Sequence, residues 1–410
     1  MPPTNDDWHA RGKACVPTDG ARHLSDRAAL FLNRPAVPEP VSPGAENIDP
    51  VAQEERLNAE QQPAKRLRVG LVGWLLRGNF GDDLMAVMFA LELMQADFDV
   101  VVWGLSPQAA APFGITTVES LDALECCDAL IYAGGGLLTL AHTHMEEQDG
   151  FGTSMRMLCT MSVAKNLPLM LLSIGGDGQS PEHTGLSETQ CLMLRTAKLI
   201  TVRNPQDVAL VKRISSLENV PCFADIVWRV KRTLRLEAFD GPRSNVLVHQ
   251  SSSRTWRLIR AAVSCLNATE NRLGAVFNLL TQFEANRVDH PRTIQHRDIL
   301  QTLAVVSKAS LLISARLHLA MSAMVLGTPV LSVNAEAKTK LMLQNFPQLA
   351  HDVDSAAGRF RFPLRLWKAI YRRQLLIVAP PQLETLADSA AGHSQAAIAF
   401  LSQRQADHAG

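Results

Sequence analysis

Three short stretches hold side chains whose chemistry goes beyond packing. In "LLISARLHLAMSAMVLGTPVLSV", Arg316 and His318 stand where an apolar run gives way to an apolar helical pattern. Arginine presents a planar fork that matches a carboxylate or phosphate, and histidine changes charge near neutral pH. A histidine alone on an apolar segment is most often a hydrogen-bonded core residue. One placed two residues after an arginine, at a predicted helix N-terminus, is a candidate for acid–base work. In "LITVRNPQDVALV", Arg203 ends a strand-like run; the plainer reading is a surface pair with Asp207. In "RGNFGDDLMA", Gly78, Asn79 and Gly81 lead into Asp82 and Asp83 at the start of a helical pattern. Glycine lets backbone approach a ligand closely and a helix N-terminus attracts anions, yet both aspartates are themselves anions. Either they cap the helix, or the loop belongs to a site whose positive charge comes from elsewhere.

Weaker signals accompany these. Gly134, Gly135 and Gly136 follow the run "DALIYA" and either offer backbone N–H groups to a ligand or make a tight turn under a helix. Asp225 in "FADIVW", and Lys338 and Lys340 in "AEAKTKLM", rank below the arginines, the lysines being readable as a solvated face.

The elements that must position these residues form a consistent pattern. From Leu67, short Val/Ile/Leu-rich runs alternate with helical stretches: "LRVGLVGWLL", "DVVVWGL", "DALIYAGGG", "LPLMLLSIGG", "KLITVR". A second set, "NVLVHQ", "RLGAVFNLL", "SLLISA" and "TPVLSV", follows a hinge at "FDGPRSN". Continuous apolar strands alternating with helices predict parallel sheets covered on both faces. The expected fold is α/β, with two doubly wound Rossmann-like domains facing a cleft, over residues 66–240 and 241–345. Ligands of such sheets bind beyond the carboxyl ends of the strands, where the candidates fall. No internal repeat stands out.

The flanks differ in composition. Residues 1–65 read as a linker or disordered arm with a short helix near "ARHLSDRAALFLN". Residues 346–380 include "RFRFPLRLWKAIYRRQLLIV", a helix with Pro363 in its first turn. Leu364, Trp367, Tyr371 and Val378 make one stripe on it, and Arg365, Lys368 and Arg372 another. That pattern suits either a closing helix whose apolar stripe packs on the first domain or a surface for an anionic membrane. Residues 381–410 read as a tail that holds a helix, then frays, and offers no chemistry.

Bulk composition excludes several classes. The 410 residues are 47% hydrophobic, and 40 Lys+Arg balance 40 Asp+Glu, so the chain lacks the basic excess of a nucleic-acid binder. The seven cysteines contain no CxxC pair, which suggests free thiols in a reducing cytosol. The N-terminus lacks a signal-peptide pattern, and Gly327 and Pro329 interrupt the "LHLAMSAMVLGTPVLSV" stretch as a membrane span. A cytoplasmic protein is expected, peripheral at the inner membrane face if the basic helix docks there. HExxH, GxSxG and the P-loop pattern are absent, and His142 and His144 are two apart, an unsuitable spacing for one helical face. No cofactor and no obligatory metal are expected.

In order along the chain, "GNFGDD", "AGGGLL", "ITVR" and "ARLHLAMSAMVLGTPVLSV" followed by a lysine resemble the polysaccharide pyruvyl transferase family, over roughly residues 67–345. The resemblance implies a two-domain fold similar to the GT-B glycosyltransferases. It also implies transfer of the enolpyruvyl group of phosphoenolpyruvate onto a glycan or lipid-linked sugar as a ketal. Within it, His318, Asp82 and Asp83 are the catalytic candidates. Arg316, Leu317, Arg203, Gly78, Asn79, Gly81, Gly134, Gly135, Gly136 and Lys338 are the substrate-binding ones. Two positions depart from the family pattern: Asp83 stands where members usually carry Glu, and Asn204 where an acid follows the arginine. A glycosyltransferase using a nucleotide sugar, or an inactive relative serving as a binding protein, are the alternative readings.

Overall fold

The computed structural model describes residues 66–75, 78–139, 150–177, 185–249, 275–280, 293–296, 298–344, 352–353, 361–371 and 380–409. The N-terminal arm with its expected short helix, and the pair His142 and His144, lie outside the described residues.

The first sheet contains β1 (Arg68–Val72), β2 (Asp99–Trp103), β3 (Thr116–Val118), β4 (Ala129–Leu138), β5 (Leu169–Gly176) and β6 (Leu199–Val202). Their spatial order is β3-β2-β1-β4-β5-β6, with every neighbour parallel. The second holds β7 (Val246–His249), β8 (Val276–Leu280), β9 (Thr293–Gln295), β10 (Leu311–Ser314), β11 (Val330–Val333) and β12 (Asp352–Val353). These lie in the order β9-β8-β7-β10-β11-β12, again all parallel. Counted within its own half, each sheet has the same strand order, a structural repeat that the sequence does not display. In such sheets the order reverses beside the first strand, and the crevice outside that reversal is where ligands sit. The two reversals fall between β1 and β4 and between β7 and β10.

The helices that follow the strands explain why the runs are apolar on both faces. In the first half these are α1 (Phe80–Gln95), α2 (Phe151–Ala164), α3 (Glu188–Thr196) and α4 (Pro205–Ser215); in the second, α5 (Ile299–Ser307), α6 (Leu317–Val325) and α7 (Ala337–Gln344). All eight residues of β5 are buried. Helix α1 is buried almost all round, from Leu84 to Ala90 and at Leu93. A surface helix needs one apolar stripe; this one packs both on the first sheet and on the second half. A single apolar cluster therefore runs from Val69 and Leu71 through α1 to Leu312, Leu317 and Met321. On the opposite face of the first sheet, Tyr132, Met155, Leu158, Met193 and Ile200 form a separate cluster.

Two C-terminal elements differ from expectation. Helix α8 (Arg361–Tyr371) forms, but it buries Leu366 and Ala369 and leaves Leu364 and Trp367 65% and 39% exposed, on the solvent side with Arg365 and Lys368. The stripe expected to pack on the first domain is thus not the one that packs. Val378 and Arg372 of the expected stripes lie outside the described residues. The supposed fraying tail is one 30-residue helix, α9 (Pro380–Ala409), docked on the first half. It buries Ala387, Ala390, Ala397 and Leu401, and Arg229 and Arg232 tie it down through Ala387 O (3.2 Å), Asp388 (2.5 Å) and Glu384. Small alanines pack closely without the large apolar side chains that betray a buried stripe in sequence. No helix among the described residues is long and apolar enough to cross a membrane.

Candidate functional site

The loop leaving β1 turns at Gly78, whose φ of +56° favours glycine. Asn79 then caps α1: its Oδ1 accepts the Gly81 N–H at 3.0 Å and its carbonyl accepts the Asp83 N–H at 2.9 Å. Neither aspartate is the cap. Asp82 is half-buried and Asp83 is fully buried, so adjacent residues of one helical turn serve different surroundings. The three glycines do not form a loop after β4, but lie inside it. Gly134 and Gly135 adopt φ of +78° and +100°, and the pairing of β4 with β5 shifts register beyond Gly135. A Cβ on Gly134 would press on Met85 Sδ, and one on Gly135 would lie 3.4 Å from Asp82 Oδ1. The irregular strand end thus accommodates α1 and Asp82.

The second wall comes from β10. Ser314 Oγ accepts the Arg316 N–H at 3.0 Å, and Arg316 occupies the N-cap of α6. The Leu317 side chain is buried in the core, which leaves its backbone N–H as its contribution at the helix N-terminus. The His318 ring packs so closely on Gly81 that any Cβ there would collide with it. This contact joins the two halves at their strand reversals.

Arg203, at the end of β6, closes the constellation. Its Nη1 donates to Asp225 Oδ2 at 2.8 Å and to His318 Nε2 at 3.0 Å, with His318 Nε2 3.5 Å from Asp225 Oδ2. A guanidinium only donates, so His318 Nε2 is the acceptor in its contact with Arg203. Arg203 and Asp225 side chains are 3% and 7% exposed. Burial alone would raise the Asp225 pKa, but Arg203, then His318, together with the Val227 N–H, hold it well below the usual carboxylate range. The expected Arg203–Asp207 surface pair is not made. Asp207 instead accepts from Asn204 Nδ2 (2.8 Å) and the Gly176 N–H (2.9 Å).

A second, more open cluster lies across from it. Glu336 bridges Arg316 (2.9 Å) and Lys338 (3.1 Å), with the acid and the arginine 41% and 31% exposed. Burial would raise the Glu336 pKa, and Lys338, then Arg316, lower it below its ordinary value. Asp82 sits between the clusters. Burial raises its pKa; His318, Lys338, Arg203 and Arg316 draw it down, and burial prevails. Asp82 therefore lies within the electrostatic reach of four of the candidates read from sequence. Lys340 is exposed on α7.

A sequence profile described as polysaccharide pyruvyl transferase matches residues 3–336. The chain belongs to the polysaccharide pyruvyl transferase family. No curated protein matches it in a sequence search. Among solved structures, the UDP-GlcNAc 2-epimerase of Neisseria meningitidis bound to UDP-GlcNAc is similar with a TM-score of 0.54 at 12% identity, over 82% of this chain and 100% of that one. The S. aureus MnaA–UDP complex gives 0.50 at 9% identity, over 80% and 92%. The fold of this pyruvyl transferase family member is that of the GT-B enzymes, two Rossmann-like halves.

Several residues around the family member's candidate site carry little or no signal in the sequence. Asp225 lies in a short loop after no predicted strand, yet it is the buried partner of Arg203 and His318. Asp177, just beyond β5, accepts from Thr139 Oγ1 at 3.4 Å, and its pKa is raised by burial against the pull of Lys338. His249 ends β7 with Nδ1 buried and unbonded; burial, then Arg316, push its pKa down to about 3. His296 Nε2 lies 3.7 Å from Asp83 Oδ2, which places Asp83 against the second half, apart from the Asp82 position. Asp83 Oδ1 is buried without a hydrogen-bond partner, and its pKa rises to about 6 because burial outweighs His296. Among the described residues, no group of three or more His, Cys, Asp and Glu side chains is placed to hold a metal ion. A cavity of about 900 Å³ lies at the opposite, amino end of the first sheet, beside Arg66, Arg68, Asp99 and Asp128. Arg66 pairs with Asp97 and Arg68 with Asp99, Asp128 accepts the Arg68 backbone N–H, and the cavity is remote from this chemistry.

Proposed function

We propose that the chain transfers the enolpyruvyl group of phosphoenolpyruvate onto two hydroxyls of a glycan sugar, releasing phosphate. The observation that carries the reading is the pairing of Arg203 with Asp225 and His318, and of Arg316 and Lys338 with Glu336, beyond the carboxyl ends of strands from both sheets. Phosphoenolpyruvate presents two anionic groups on a three-carbon frame, and the two clusters offer separate cationic positions for them. Arg316 and Lys338 exchange the exposed Glu336 carboxylate for a donor anion, while Arg203 holds the other end.

A proton must reach the vinyl methylene. His318, or Asp82 in the protonated form that its raised pKa favours, delivers it and leaves an oxocarbenium centre at C2. One sugar hydroxyl adds to C2 and loses its proton to the group left basic. The C2–O bond to phosphate then breaks, the phosphate departs with the bonding pair, and the second hydroxyl closes the ketal with loss of its proton. The departure at Asn204 is compatible with this role for Arg203, because Asp207 anchors Asn204 and Asp225 holds the arginine.

Purified protein incubated with phosphoenolpyruvate and candidate glycans should release inorganic phosphate only when both are present. Nucleotide release from a sugar nucleotide in the same assay would transfer the reading to a glycosyltransferase. A lipid-linked acceptor is favoured by α8, where exposed Leu364 and Trp367 lie beside exposed Arg365 and Lys368. Co-sedimentation with anionic vesicles should be lost when Arg365 and Lys368 become Glu; equal partitioning of both proteins would leave α8 as structure alone.

A further inference from the structure

The C-terminal helix grips the peptide that carries Asp225. His393 on α9 is fully buried, with Nε2 3.0 Å from Ala224 O and Nδ1 2.7 Å from Thr201 Oγ1. A carbonyl only accepts, so Nε2 carries the hydrogen. The neutral ring, favoured by burial that lowers its pKa to about 4, then accepts the Thr201 hydroxyl proton on Nδ1. Thr201 Oγ1 in turn accepts the Ser173 N–H at 3.0 Å. Every donor in this buried chain has an acceptor, which defines a single tautomer. The same peptide is held on its other side, since Ala224 N–H donates to Ser389 Oγ at 3.0 Å. Phe223 stacks edge-on against His393 at 5.3 Å and fills the space that any side chain on Gly392 would claim.

The next residue is Asp225. Its Oδ1 accepts the Val227 N–H at 3.0 Å, and its Oδ2 faces Arg203 and His318. We propose that His393 is a positioning residue. By clamping the Ala224 carbonyl, it sets the carboxylate of Asp225 and, through it, the orientation of Arg203 and His318. The catalytic consequence rests on the pyruvyl-transfer reading; the geometric one does not.

The test uses full-length H393L, H393Q, S389A, D225N and the H393L/D225N double variant. H393L should lower phosphate-releasing turnover by about 10- to 100-fold, as a displaced constellation does. H393Q, which keeps a donor for Ala224, should recover most of it. Added to D225N, H393L should cost nothing further, because the two act on one element. In parallel, NMR titration of the His318 imidazole, which needs no substrate, should move in H393L toward the D225N value and stay at the wild-type value in H393Q. Should H393L fail to fold, S389A loosens the same peptide and should move the His318 titration in the same direction. An unmoved His318 titration in H393L or S389A, or additive losses in the double variant, would overturn the proposal. If the wild-type protein releases no phosphate from phosphoenolpyruvate, the functional reading falls, while the titration still decides the positioning role.

Discussion

The two arginines of the cleft carry the same charge in opposite settings. Arg203 and Asp225 are almost sealed from solvent and share His318. Arg316, by contrast, shares a Glu336 that remains 41% exposed with Lys338. A buried, hydrogen-bonded ion pair has its geometry imposed by the fold, and breaking it strands a charge. An exposed pair contributes little to stability and exchanges partners readily. On the pyruvyl-transfer reading we propose that the first cluster orients the chemistry and holds one end of the donor, while the second captures the other end.

Removing Arg203 should produce the largest effect. R203A leaves Asp225 buried and uncompensated, so we expect a loss of about 3–5 kcal/mol in unfolding free energy together with loss of turnover. Denaturant unfolding checks the first part; a stability within error of wild type would show that the cluster is not the sealed one. His318→Ala should lower turnover by roughly 100-fold with a smaller change in donor KM. Near-normal turnover would remove His318 from acid–base work.

R316A should separate the clusters from the other side. Loss of a charge-assisted contact predicts a donor KM about 10- to 100-fold higher. Its melting temperature should stay close to that of wild type, because its partner is exposed. A large stability loss with unchanged KM would invert the comparison.

The smallest effect is expected at Asp83, where the halves meet outside both clusters. The unfolded chain releases this proton near 3.8, whereas the folded protein holds it to about 6. Between those values the native state binds more protons, so the contribution of Asp83 to stability is full below 3.8 and is lost as pH rises through about 6. Asn at this position does not titrate. D83N should therefore flatten the fall of melting temperature between pH 4 and 6; an unchanged slope would place the coupling elsewhere.

Much of the site was legible because its residues follow strands. Arg203, Arg316 and His318 could be found by asking what stands at the end of each apolar run. Asp225 was harder, since its loop closes a path that begins at Cys222 beside β6 and ends under α9. Asp82 and Asp83 look equivalent in sequence, and only their surroundings separate a cleft carboxylate from one facing His296. On α8, spacing alone identified an amphipathic helix but not its buried face, because Leu366 and Ala369 rather than Leu364 and Trp367 meet the fold.

By itself the sequence determined the alternation of parallel strands and helices, and hence which residues stand at strand ends. These are local matters of hydrophobic period, cap and turn, and adjacent residues decide them. Tertiary structure decided which strand ends meet: Gly81 on the His318 ring, Arg203 on Asp225, His393 beneath Ala224. Those contacts join residues far apart in the chain and depend on small side chains, positive φ angles and shared hydrogen bonds, none of which leaves a periodic trace in the sequence. The raised pKa of Asp82 belongs to the same class, because it depends on burial outweighing groups that lie far away in the chain.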